Sequence, residues 1–160
     1  IRRLRPVFYT VNTAKLSENV WKEAEKMLEQ IQKYPQKEEY QKLVEEDRIN
    51  LYEREAEKGD DRKFLEETDR VFKENLRGDS AWKLYERKLV YLESKQPDIS
   101  REFERFLKKY PKVMDAYVEY SIYLCRNNKM TQAQRVYREG RKQTGMTSKR
   151  AEELRRKLGL

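Results

Sequence analysis

Apolar residues recur along the chain at intervals of three and four, the period of one helix face, so the pattern predicts helices separated by short breaks. Ser17 before Glu18, with Leu16 placed to staple onto Trp21, predicts a helix start; that helix should stop at Tyr34, before Pro35. A second, from near Lys37 to Lys58, carries Tyr40, Leu43, Val44 and Leu51 on one face, and Gly59 follows as its left-handed closing residue. Asp60 or Asp61 caps a third, whose stripe is Phe64, Leu65, Thr68, Phe72 and Leu76. Gly78 is expected to end it and Asp79 or Ser80 to start the next. The fourth presents Trp82, Tyr85, Leu89 and Leu92 and breaks at Pro97, and Asp98 caps a fifth that ends at Tyr110-Pro111. A sixth holds Val113, Tyr117, Tyr120 and Leu124 and gives way at Asn127-Asn128, residues that favour turns. Thr131 and Gln134 have the spacing of a capping box and open a seventh with Ala133, Val136, Tyr137 and Gly140, closed by Gly145. Ser148 caps a basic last helix ending near Leu158. Residues 1–15 stay open between a short helix, an extended segment and the tail of a preceding helix. Such short connections make successive helices antiparallel neighbours.

The odd-numbered helices repeat one another. Ala24 to Ile31, Thr68 to Asn75, Ile99 to Phe106 and Ala133 to Gly140 share one register, with Leu28, Phe72, Phe103 and Tyr137 at the equivalent large position. Phe72 and Phe103 lie 31 residues apart, and Phe103 and Tyr137 lie 34 apart. The even helices correspond too: Trp82 with Tyr85 in one, Tyr117 with Tyr120 in the next, and Leu51 in the place of Trp82 before them. Self-similarity at this period predicts an all-α chain of antiparallel helical hairpins stacked as a solenoid, because one hairpin alone cannot bury the faces of both its helices. The residues expected to pack hairpin on hairpin are Leu28, Phe72, Trp82, Tyr85, Phe103, Leu107, Tyr117, Tyr120, Ala133 and Tyr137. In the stretch Phe103 to Pro111, Glu104, Lys108 and Lys109 are expected to point outward.

Trp82-x-x-Tyr85 in a first helix, then Phe103-Glu104-Arg105 with Leu107 and Pro111 in a second, resembles the half-a-TPR (HAT) repeat family. Ala133, Val136 and Tyr137 match a second copy, with Tyr117 where Trp is usual. The likeness covers residues 38–143, most closely 80–143. Lys73-Glu74 and Arg138-Glu139 depart from Glu-Arg, and Trp-x-x-Tyr occurs once. The resemblance implies a right-handed TPR-like α-solenoid, and a scaffold that joins proteins in splicing, pre-mRNA 3′-end or ribosomal-RNA processing, hence a nuclear or nucleolar location with a cytoplasmic one as the alternative. It implies a single repeat domain over 1–160: an N-terminal segment, three to four hairpins over 16–145, and a basic helix over 146–160. A chain that opens with Ile rather than Met reads as a piece of a longer protein.

Composition narrows the chemistry. Charged residues make up 41% of the chain, which suits helices with one apolar stripe; disorder is the competing reading, and 11 Tyr with 5 Phe and 2 Trp argue against it. There is no histidine and one cysteine, Cys125. That removes the commonest general base, the usual triads, a structural zinc site and an internal disulfide. No catalytic residue, cofactor or metal is therefore expected, and no apolar run has the length of a membrane span. The net charge of +8 sits at the ends: from Lys129 to Leu160 ten Lys and Arg face three acidic residues, and Arg2, Arg3 and Arg5 add to the start. The candidate patch for RNA or an acidic partner is Arg135, Arg138, Arg141, Lys142, Lys149, Arg150, Arg155, Arg156 and Lys157. Two other readings stand beside it. A TPR-like peptide-binding module would be lined by polar side chains, and a carboxylate-dependent enzyme would need a pocket with two adjacent acids.

Overall fold

A computed structural model describes residues 18–33, 38–74 and 76–160, with the side chains of 18–21, Gln32 and 38–42 excepted. The expected N-terminal segment, the Ser17 cap with its Leu16–Trp21 staple, and the stop at Tyr34-Pro35 lie outside the described residues. Among these residues the chain is all helix: α1 Glu18–Gln32, α2 Glu38–Glu57, α3 Arg62–Lys73, α4 Gly78–Glu93, α5 Ser100–Lys109, α6 Met114–Arg126, α7 Met130–Thr144 and α8 Lys149–Lys157. It gathers into two compact units, 1–69 and 70–160, and the boundary falls within α3.

Helix ends follow the punctuation where backbone geometry decides. Gly59 closes α2 at φ +113°, with its N–H bonded to the Ala56 carbonyl at 3.0 Å and the Asp60 N–H to the Glu55 carbonyl at 3.2 Å. That pair of bonds is the Schellman closure. Asn128 does the same for α6 at φ 59°, the Lys129 N–H reaching the Leu124 carbonyl at 2.9 Å. Ser148 caps α8, its Oγ accepting from the Ala151 N–H at 3.1 Å.

Three expectations fail. Gly78 starts α4 instead of ending α3, which stops at Lys73. Its role is space: a Cβ there would stand 2.7 Å from Val113 Cγ2. Thr131 and Gln134 form no capping box, because α7 has already begun at Met130; Gln134 Nε2 instead donates to the Leu158 carbonyl at 2.8 Å. Asp98 is not the side-chain cap of α5, whose N-cap is Ile99; its carboxylate accepts from the Ser100 N–H at 2.9 Å in the preceding turn.

In the first unit, Leu28 of α1 packs with Val44 and Leu51 of α2, and Ile31 and Tyr52 close the cluster. Val44, Ile49, Leu51 and Ala56 are buried and spread over roughly half of the circumference of α2. The Arg48–Glu67 ion pair, 3.2 Å and nearly buried, ties α2 to α3.

The second unit is built on rings. Phe106, fully buried, meets Trp82 at 5.1 Å, Tyr85 at 5.2 Å and Tyr110 at 5.1 Å between centroids, while Phe72 lies 4.8 Å from Tyr85. Phe103 stacks on Tyr120 at 4.8 Å. Of the expected packing residues, Leu107 alone is only half-buried, because the buried face of α5 is turned one residue, onto Phe103 and Phe106. Lys109 is exposed as expected, yet its ammonium caps the Phe72 carbonyl at the end of α3 and lies 4.8 Å from the Phe72 ring. Glu104 is exposed, yet it accepts from the Tyr120 hydroxyl at 3.0 Å, and burial together with that bond pushes the phenol up to about 12.

Three polar contacts join one hairpin to the next at offsets of 31 or 33 residues. Arg126 of α6 pairs with Glu93 of α4 at 3.0 Å, 33 residues back. Lys129 meets Asp98 at 3.5 Å, 31 residues apart, and Arg150 of α8 pairs with Glu119 of α6, again 31 apart. Within the α6–α7 hairpin the Lys112 ammonium donates to the Gln143 carbonyl at 3.2 Å. The contacts of α6 with α4 and with α8 join corresponding ends, so these three helices run in one direction. α6 crosses α7 at Gly140, where a Cβ would stand 2.6 Å from Tyr117 Cβ and 2.1 Å from the Met146 methyl. Gly140→Ala is expected to lower stability by about 2 kcal/mol through overpacking, read as a shift in urea midpoint at unchanged m-value.

Candidate interaction surfaces

The expected basic patch divides when its side chains are placed. Gln134 reaches the Leu158 carbonyl, and Glu152 is held below the usual carboxylate range by Arg155, whose guanidinium bonds to it, and further by Arg156 and by Arg141 of α7. The Gln134 bond ties one edge of α7, near its start, to the end of α8. Arg141 lies on that edge, with Arg138, Lys142 and Arg135 following around the exposed side of α7 and Arg156 across the seam. Arg155 is consumed by Glu152 at 2.7 Å and by the Leu160 carbonyl. Arg150 turns to the opposite flank of α8 and pairs with Glu119. Lys157 shares that flank, close enough to Cys125 of α6 to act against the rise that burial gives the thiol pKa. Lys149 is exposed at the first turn of α8, seven residues before Arg156 and on the same face. The nine candidates thus reduce to six that share a surface.

A second polar surface lies along α4, α6 and α8. Burial, and then Glu119, raises the Glu86 carboxyl above its ordinary value; Arg150 opposes this and Asp115 adds to it. One residue from each of three successive parallel helices therefore meets in a charged row, Glu86, Glu119 and Arg150.

The first unit holds a cleft of about 440 Å³ lined by Lys22, Glu25, Arg54, Glu55, Lys58, Asp60 and Lys63. Nothing in the local spacing marks it, since its members come from α1, α2, α3 and the turn between the last two. Glu25 and Glu55 are adjacent, which is what a carboxylate-dependent enzyme would need. The Lys63 ammonium bonds to Glu25 and stands 3.9 Å from Glu55. Burial, then Glu25, raises the Glu55 pKa, and the bond to Glu25 raises that of Lys63. Lys63→Met would leave the two carboxyls facing each other, raising Glu55 further. A carboxyl whose folded pKa exceeds its unfolded value weakens the fold as pH rises through that pKa and restores it as pH falls. The variant is expected to be about 1 kcal/mol less stable at neutral pH, with the gap closing below about pH 5, as urea midpoints at the two pH values would show.

Tyr52 and Tyr91 both sit under lysines: Lys63 is 5.6 Å from the first ring and Lys95 is 5.9 Å from the second. Among the described residues no group of acidic, Cys or His side chains is arranged to hold a metal, and no helix is long and apolar enough to cross a membrane. No family model, curated protein or solved structure matches the chain.

Proposed function

We propose that the chain is a non-catalytic helical-repeat scaffold, its hairpins stacked as a right-handed HAT-like solenoid, that joins protein partners in a nuclear RNA-processing complex. The observation that carries this is the set of hairpin-to-hairpin contacts at offsets of 31 and 33 residues, Arg126 with Glu93, Lys129 with Asp98 and Arg150 with Glu119, close to the period of the sequence repeat. A stack built on nearest-neighbour contacts repeats its outer faces along its length and so offers extended surfaces to partners. Glu25 and Glu55 do not act as an acid–base pair in this scheme. Their bonds to one ammonium make them a tie between three helices, whereas general acid–base work needs one free and one protonated carboxyl. Affinity capture of the full-length protein, with partners identified by mass spectrometry, tests the proposal. RNA-processing proteins are expected among the partners, and a set without any would sink it.

The charged row Glu86, Glu119 and Arg150 favours a second reading, a TPR-like module that clamps an extended peptide unrelated to RNA. In that case substitutions in the row abolish partner binding, and substitutions on α7 leave it intact.

A further inference from the structure

We propose that the α7–α8 seam is a binding site for the phosphate backbone of single-stranded nucleic acid, formed by Arg135, Arg138, Arg141, Lys142, Lys149 and Arg156. It deepens the scaffold proposal, which had assigned no ligand to this surface.

The first ground is the gathering of unpaired cations within the second unit. Many of its other cations are engaged: Arg70 with Glu74, Lys88 with Glu102, Arg126 with Glu93, Lys129 with Asp98, and Lys109 on the α3 carbonyls. Lys83, Arg101 and Lys108 have no ion pair among the described residues either, but they are not gathered as the seam cations are. The six seam residues are exposed, and none of them has an ion-pair partner among the described residues. The four on α7 occupy about one third of the helix circumference. Glu139 lies outside that sector, and Glu152, at the seam, is already bonded to Arg155. Like charges gathered this closely repel one another, and a polyanion laid along them removes that cost.

The second ground is chemical type. Four of the six are arginines, whose planar forks match phosphate oxygens two at a time. Helical steps of three and four residues place the Cβ atoms of successive cations about 5–6 Å apart along α7. A flexible single strand can bend to follow cations at that spacing. A rigid duplex would touch such a convex ridge over only a short line. No exposed aromatic ring belongs to the seam, Tyr137 being buried beneath it, so bases find no stacking platform. Binding should therefore be independent of sequence and strongly dependent on salt.

Fluorescence anisotropy with the full chain and an oligouridylate of about 20 nucleotides tests this between about 50 and 200 mM salt. Six phosphate contacts on a single strand give a slope of about −4.2 in log K against log salt. Changing Arg135, Arg138 and Arg141 together to Gln should flatten the slope by about 2 and weaken binding at least tenfold. The same three positions changed to Lys should keep most of the slope, and circular dichroism identifies any variant that fails to fold. An unchanged slope in the Gln variant overturns the proposal. So does tighter binding of a duplex of equal length, or equal binding of a polyglutamate of equal charge, which would make the seam an acidic-protein site. The scaffold proposal fails separately: uridylate binding with no RNA-processing partner captured would remove it and leave this site standing.

Discussion

Phe106→Ala is expected to destabilise the second unit by about 3–5 kcal/mol, because the ring is fully buried and its removal opens a cavity that rigid neighbouring rings cannot fill. Phe106 touches Phe72, Trp82, Tyr85 and Tyr110, side chains supplied by α3, by α4 and by the residue after α5. One truncation therefore loosens several inter-helix contacts together. Leu107→Ala, one residue along and half-buried, should cost about 1 kcal/mol, the pair of values measuring which residue of α5 carries the core. With Trp21 changed to Phe, fluorescence comes from Trp82 alone, since the chain has two tryptophans. Its thermal transition should fall by more than about 10 °C for Phe106→Ala.

Glu102→Ala is expected to cost about 3 kcal/mol. The Lys88 ammonium, with its side chain 5% exposed, lies 3.1 Å from the Glu102 carboxylate, and the Tyr85 hydroxyl donates to the same oxygen at 2.6 Å. Deleting the acid leaves a buried cation and a buried hydroxyl without this acceptor, a larger loss than the net worth of the pair. Replacing both partners with apolar residues, Lys88→Met with Glu102→Leu, should recover most of the loss, since nothing charged then stays buried. Urea denaturation of the two single variants and the double variant gives the coupling directly.

Much of the fold was legible because it is local. Gly59 and Asn128 end helices by backbone conformation, and Ser148 caps by reaching a residue three along, so their effects can be read from neighbours in sequence. The aromatic stripes were legible by period. What failed needed the third dimension. Gly78 looks like a helix terminator until Val113, 35 residues on, is placed against it. The buried face of α5 can be turned by one residue without changing its period, so Leu107 and Phe106 were interchangeable until Trp82 and Tyr85 chose between them. Lys88 carries no sequence mark of burial, because a lysine stem buries as readily as it extends. On the candidate surface, sequence grouped cations that the fold separates. Only the positions of Glu119 and Glu152 separate Arg150 and Arg155 from the cations left at the seam. The cleft around Lys63 had no sequence signal at all, since Glu25 and Glu55 come together only when α1 packs on α2.

Capture of the full-length protein with and without nuclease tests the scaffold most directly. If the repeats join proteins by their own surfaces, RNA-processing partners should be recovered and should remain after nuclease treatment. Recovery of no such partner, or of partners that all vanish with the nucleic acid, would contradict it.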